Sequence, residues 1–201
     1  MEENNQNKIL PGDKNQKKFG VRVSVWQAIW EFAKIIIVAT LIVLPIRYFL
    51  FQPFIVKGES MVPNFQNGDY LIVDELSYKF SELQRGDVIV FKYPKDTSQR
   101  FIKRVIGLPG ETVDVVSGKV VISKGNSTFT LNEKYLPESL TTIGSVKTVV
   151  GPDEYFVLGD NRGFSYDSRI WGTVPKSDII GKVFLRLFPV AALSRIMVPS
   201  Y

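Results

Sequence analysis

The 201-residue sequence contains no cysteine and no histidine. Without cysteine there is no disulfide, no thiolate nucleophile and no cysteine-ligated zinc. Without histidine the commonest general base and the commonest metal ligand are both gone. Any nucleophilic catalysis must then run without a Ser-His-Asp triad, and neither a metal site nor a cofactor is expected. Runs of like charge are missing too: 25 Lys and Arg face 20 Asp and Glu, a net charge of +5 with no block of five basic residues. That pattern describes a solvated surface rather than a nucleic-acid interface, so no nucleic-acid partner is expected. No internal repeat is present.

What the sequence does have begins with an apolar run. Residues 1 to about 20 are polar, rich in Asn, Gln and Lys, and read as a flexible tail. Residues 32–51, FAKIIIVATLIVLPIRYFLF, follow. A helix of that length spans roughly the 30 Å of a bilayer's hydrocarbon core. Lys34 and Arg47 sit where long side chains can snorkel, and Pro45 lies near an end, where the chain can leave the helix. A cleaved leader would start nearer Met1 and end in small residues, which Phe49-Leu50-Phe51 are not. A buried core helix is the competing assignment. Trp26 and Trp30 stand where an interfacial aromatic belt would place them, and the lipid bilayer is the expected partner. Lys14, Lys17, Lys18, Arg22 and Lys34 precede the run. The positive-inside rule then puts residues 1–31 in the cytoplasm and residues 52–201 outside, in a single-pass cell-membrane protein.

From Phe54 onward the texture changes. Short β-branched runs recur at 70–73, 88–93, 100–106, 112–116, 119–123, 155–158 and 182–187. Turn signals such as Asn67-Gly68-Asp69, Pro109-Gly110 and Gly159-Asp160-Asn161 separate them, and no long helical pattern competes. The expected fold is mainly β, a compact and mostly antiparallel domain after one N-terminal transmembrane helix.

With His and Cys absent, the nucleophile candidates are Ser, Thr and Lys, each needing an activator. A lysine serves as base only when neutral, which requires a dry setting. Ser60 lies in GESMVPNF, where Gly58 allows close backbone approach and Pro63 stiffens the segment. Lys103 lies in RFIKRVIGLPGE and, on a strand, shares a face with Phe101 and Val105. Taken alone, either residue fits a structural role as well. A third segment, GDNRGFSYDSRIWG over residues 159–172, gathers Asp160, Arg162, Asp167 and Arg169 with Ser165 and Ser168. It reads as a turn held by ion pairs, and a hydroxyl in it can orient a neighbouring amine.

Together these segments resemble the bacterial type I signal peptidases, membrane-anchored Ser-Lys endopeptidases. The likeness runs in order through the apolar run, GESMVPNFQNGDYLIVDELSY, RGDVIVF, RFIKRVIGLPGE, GDNRGFSYDSRIWG and RLFP. It leaves the N-terminal tail and about residues 117–150, a variable insertion, unmatched. The resemblance implies a secreted-preprotein signal peptide as substrate, Ser60 as nucleophile and Lys103 as general base. It also implies that Ser165 hydrogen-bonds the lysine, and that Asp160, Asp167, Arg104 and Arg169 form structural ion pairs. Phe54, Val56, Phe101 and Ile102, with Met61 nearby, would line pockets for small residues at the first and third positions before the cut. Two positions depart from the family: Gly58, where some members carry a second oxyanion-hole hydroxyl, and Asn64, where threonine is usual.

Other readings fit less well. A Ser-Lys self-cleaving repressor would carry a DNA-binding helical domain where this chain has its apolar run. A β-lactamase-like enzyme would have a lysine three residues after the serine, where Pro63 stands. A membrane-anchored binding module with a vestigial dyad sits poorly with an intact Ser60, Lys103 and Ser165.

Overall fold

The computed structural model describes residues 24–49, 51–76, 80–189, 194–196 and 199. The polar tail before Ser24, with Lys14, Lys17, Lys18 and Arg22, lies outside these residues. The chain divides into two units, Met1–Ile42 and Val43–Tyr201.

Helix α1 covers Val25–Phe49. It starts at Val25 rather than Phe32 because the sequence supplies an earlier start. The Ser24 amide donates to Gln27 Oε1 at 3.1 Å and the Ala28 amide to the Ser24 carbonyl at 3.0 Å, the reach-back half of a capping box. The helix continues through Pro45 and stops at Phe49, so Phe51 opens a strand instead of closing the span. The stretch Val25–Leu44 is long and apolar enough to cross a membrane, and none of it is buried.

The rest is antiparallel β structure. Among the described residues the larger sheet runs β1 (Phe51–Ile55), β2 (Tyr70–Asp74), β11 (Ile179–Phe188), β3 (Val88–Tyr93), β4 (Asp96–Gly107), β9 (Glu154–Leu158) and β10 (Val174–Pro175), with β12 (Ser194–Arg195) added to β11. The smaller sheet runs β7 (Ser127–Thr130), β6 (Lys119–Lys124), β5 (Thr112–Val116) and β8 (Val146–Val149). A four-residue helix, α2 (Ser168–Trp171), sits in the 159–172 loop.

Alternation sets these strands. In β5 and β6 the buried residues Val113, Val115, Val120 and Ile122 fall at every second position and meet Ile106, Phe156 and Leu158 in one core. A second core gathers Phe91, Val105, Val157 and Trp171. A third holds Val56, Met61, Phe65, Leu71 and Val88 beneath the Ser60 turn. All seven strands expected from the sequence are present. Strand β4 is longer than its apolar part because exposed residues from Asp96 to Arg100 continue it as a hairpin arm paired with β3.

Candidate active site

Strand β4 carries Lys103 to the Ser60 turn. Lys103 is 4% exposed, and its Nζ donates to Ser60 Oγ at 2.7 Å and to the Ile102 carbonyl at 2.9 Å. The Phe101 ring lies on the same strand face, its centroid 5.4 Å from the ammonium. Among the described residues no carboxylate forms a salt bridge with the amine. Burial pushes its pKa down to about 8, against the upward pull of Asp167 and Asp160. Such a group is largely neutral just above that pH, the state in which it can take a proton from a hydroxyl.

The Ser60 turn is tied down from several directions. The Gly58 amide donates to Asn67 Oδ1 at 3.0 Å, and Phe65 closes a turn onto the Met61 carbonyl at 2.9 Å. Gly58 does not permit a close approach, contrary to expectation: a Cβ there would meet nothing within 4 Å. It is needed because its φ of +90° is left-handed backbone. A side chain at this position therefore has space but strains the turn, which accounts for glycine where a second oxyanion hydroxyl was in question.

Close approach belongs to Gly159 instead. A Cβ on Gly159 would stand 2.1 Å from Ser165 Oγ and 2.4 Å from the Ser60 carbonyl. The 159–172 loop is thus pressed against the nucleophile turn. The Asn161 amide donates to the Ser60 carbonyl at 3.0 Å and Asn161 Nδ2 to the Glu59 carbonyl at 3.1 Å.

Ser165 is 8% exposed, and among the described residues its hydroxyl has no hydrogen-bond partner. The bond to Lys103 implied by resemblance is therefore not made; the Ile102 carbonyl takes that place, and the Ser165 hydroxyl sits buried beside Gly159. The expected ion pairs do form. Arg104 and Asp160 make a two-pronged pair at 2.8 and 2.6 Å, with Asp160 fully buried. Asp167 holds Arg169 at 2.8 Å through both carboxylate oxygens and accepts from the Gly159 amide at 3.1 Å.

Beside the dyad lies a cleft of about 820 Å³, bordered by β1 and the first part of β4. Phe54, Val56, Phe101 and Ile102, named from the resemblance as pocket residues, are among those that line it. Met61 does not: it is 1% exposed and fills the core below, because it packs with Phe65 and Leu71 in the turn's underside. The sequence reading omitted Leu71 and Val90 on the floor, Arg100 and Lys57 on the rim, and Phe164 and Tyr166 from the loop. Two strand edges face this space. Strand β1 ends its sheet, and β4 pairs with β9 only from Arg104 onward, so its residues up to Lys103 have β3 as neighbour on one side alone. An extended peptide can add to such edges through its backbone.

Three further residues frame the dyad, of which the sequence analysis named only Asn64, as a departure from the family. Asn64 donates from Nδ2 to Asp160 Oδ2 at 2.9 Å and to the Tyr135 carbonyl at 3.1 Å. Glu133 and Tyr135, from the stretch left unmatched, reach buried Arg162. The available signal was Arg162 itself, a cation of the 159–172 loop outside the ion pairs that the resemblance implies. Among the described residues no cluster of His, Cys, Asp and Glu forms a metal site.

Comparison with known proteins agrees with the geometry. The family described as signal peptidase, peptidase S26, matches residues 29–188. The chain is 40% identical over 176 residues to a probable signal peptidase I-1 of Synechocystis sp., covering 84% of this chain and 87% of that protein. It is 41% identical over 179 residues to a signal peptidase I of Leptolyngbya laminosa, with 85% and 86% covered. To a signal peptidase I of Bacillus amyloliquefaciens it is 37% identical over 169 residues, with 80% and 86% covered. Among solved structures, a signal peptidase I from Enterococcus faecalis V583 is 32% identical, with a TM-score of 0.43 over 51% of this chain and 97% of that one.

Proposed function

This chain belongs to the signal peptidase family, peptidase S26, and we propose that it cuts signal peptides from exported preproteins with Ser60 as nucleophile and Lys103 as general base. The observation that carries the assignment of roles is the 2.7 Å contact between Lys103 Nζ and Ser60 Oγ at the end of the cleft. With the amine neutral, its lone pair takes the hydroxyl proton over that same distance while Oγ attacks the scissile carbonyl. The Ser60 amide N–H holds the oxyanion. Lys103 then passes the proton to the departing amine, leaving an ester on Ser60. A water molecule gives its proton to Lys103 and attacks that ester; as the acyl–Oγ bond breaks, Lys103 returns the proton to Ser60 Oγ and the signal peptide leaves with its new carboxyl end.

The signal peptide lies in the cleft as an added strand. Phe54, Val56, Phe101 and Ile102 leave space for small side chains at the first and third positions before the cut. One surplus methylene in such a pocket costs roughly 1–3 kcal/mol, so several contacts share the discrimination. Ser165 turns its free hydroxyl toward the Lys103 amine during the reaction, which supports the lysine once its proton changes hands.

The chain is anchored by α1, with the N-terminal side in the cytoplasm and the β domain outside. The exposed apolar surface of Val25–Leu44 and the basic residues before it support that reading. The detergent-solubilised protein should release mature protein from a preprotein with small residues at both positions, and Ser60→Ala should release none. Equal cleavage by Ser60→Ala would remove the assignment. Protease added to right-side-out vesicles should reach the β domain; full protection would reverse the orientation.

A further inference from the structure

Residues 131–143, most of the stretch joining β7 to β8, touch a neighbour of Ser60, of Lys103 and of Ser165. Asn64, on the turn that carries Ser60, donates to the Tyr135 carbonyl at 3.1 Å. Arg104, next to Lys103, lies 4.2 Å from the centroid of the Tyr135 ring. Arg162, in the loop that carries Ser165, is held by Glu133 at 2.7 Å, by Thr142 Oγ1 at 2.5 Å and by the Tyr135 hydroxyl at 3.1 Å.

That grip is transmitted inward. Arg162 Nε donates to the Gly159 carbonyl at 3.0 Å, and Gly159 is the residue with no room for a Cβ between Ser165 Oγ and the Ser60 carbonyl. Asn64 also donates to Asp160, whose carboxylate clamps Arg104. Arg162 and Thr142 are buried, at 1% and 3% exposed, while Glu133 and Tyr135 are half-buried. Burial works against the Arg162 charge, but the hydrogen bond and charge of Glu133 outweigh it and keep the guanidinium protonated. A charge buried this way fixes its partners in direction as well as distance.

We propose that residues 131–143 are a positioning strap of the active site, with Asn64, Glu133 and Tyr135 as the positioning residues that set the Ser60–Lys103 contact. The inference rests on the Ser60 and Lys103 roles given above. A strap that only stabilised the domain would alter the folded fraction and nothing else. A strap that sets the contact alters how each folded molecule works. When it slackens, Gly159 and the Ser60 turn draw apart and water reaches the Lys103 amine. That amine is otherwise faced by the carboxylates of Asp160 and Asp167, by Ser60 and by the Phe101 ring.

The test uses the full chain in detergent and three variants that keep most of the packing: Asn64→Leu, Glu133→Gln and Tyr135→Phe. Turnover of a preprotein, counted per folded molecule, should fall about tenfold in Asn64→Leu and Glu133→Gln and a few-fold in Tyr135→Phe, with KM within about twofold of the parent. The acidic limb of the pH profile should move up by about one pH unit as Lys103 regains water. The same shift should appear in an NMR titration of the ¹³C-labelled lysine side chains, which needs no substrate. Variants that melt earlier yet keep the parent's turnover per folded molecule and Lys103 titration overturn the proposal. If the parent cuts no preprotein, the proposed function fails, and the titration alone still decides the strap.

Discussion

Lys103 and Arg104 are successive residues of one strand, each 4% exposed, and they meet opposite electrostatic fates. Arg104 is answered by a carboxylate, with Asp160 gripping its guanidinium through two hydrogen bonds of 2.8 and 2.6 Å. Lys103 has a hydroxyl and a backbone carbonyl but, among the described residues, no ion-pair partner. A guanidinium cannot be neutralised at working pH, so burying it demands a partner. An amine can lose its charge, so burying it without one makes a base. The structural and the reacting cation of this site differ in that one respect, and each variant below tests one side of the difference.

Lys103 variants should show the largest effect. Lys103→Met keeps the apolar stem and removes the base, and turnover should fall by at least about four orders of magnitude with the melting temperature held or raised. Lys103→Arg should be as inactive, because it places a permanent charge where none is paired. A well-folded Lys103→Arg enzyme with substantial activity would show that some other group takes the Ser60 proton.

Breaking the structural pair comes next. Asp160→Asn removes the carboxylate that clamps the buried Arg104 guanidinium and should destabilise the domain by about 3–5 kcal/mol. Activity should fall mainly with the folded fraction, as read by thermal melting beside turnover per folded molecule. Asp167→Ala should follow it in kind, since Asp167 anchors both Arg169 and the Gly159 amide. A normal melting curve for either would mean that these carboxylates do not hold the loop.

Ser165→Ala should have the smallest effect. Its hydroxyl is buried and unpartnered, so the melting temperature should stay level or rise slightly. Turnover should drop about tenfold if the hydroxyl turns to Lys103 during the reaction. Unchanged turnover would leave the lysine oriented by the Ile102 carbonyl alone.

How far the sequence foreshadowed this arrangement follows from what each residue depends on. Ser60 and Lys103 stood out as candidates because the absence of His and Cys narrowed the choices and because Lys103 lies among Phe101, Val105 and Ile106, but their roles came only from the resemblance that the linked motifs carry. The strands with strict alternation, such as β5 and β6, were legible from local pattern. Strands β7 and β8 were not: β7 is exposed along its length and β8 only partly covered, so neither shows a strong apolar period. Met61 was misplaced because its sequence neighbourhood cannot say whether a residue beside the nucleophile faces the cleft or the core. The contacts of Asn64, Glu133 and Tyr135 were invisible because their partners lie 96, 29 and 27 residues away along the chain, a separation that no local pattern records.

The central claim is that Lys103 is a base because burial leaves it without a paired charge, and the pH dependence of turnover tests it most directly. The neutral amine is the working form, so activity should be low in acid and climb through a midpoint near the lysine's pKa of about 8. A ¹³C titration of the Lys103 side chain should give the same midpoint. A lysine that titrates at its ordinary value near 10.5, with turnover already at its plateau by neutral pH, would contradict the account.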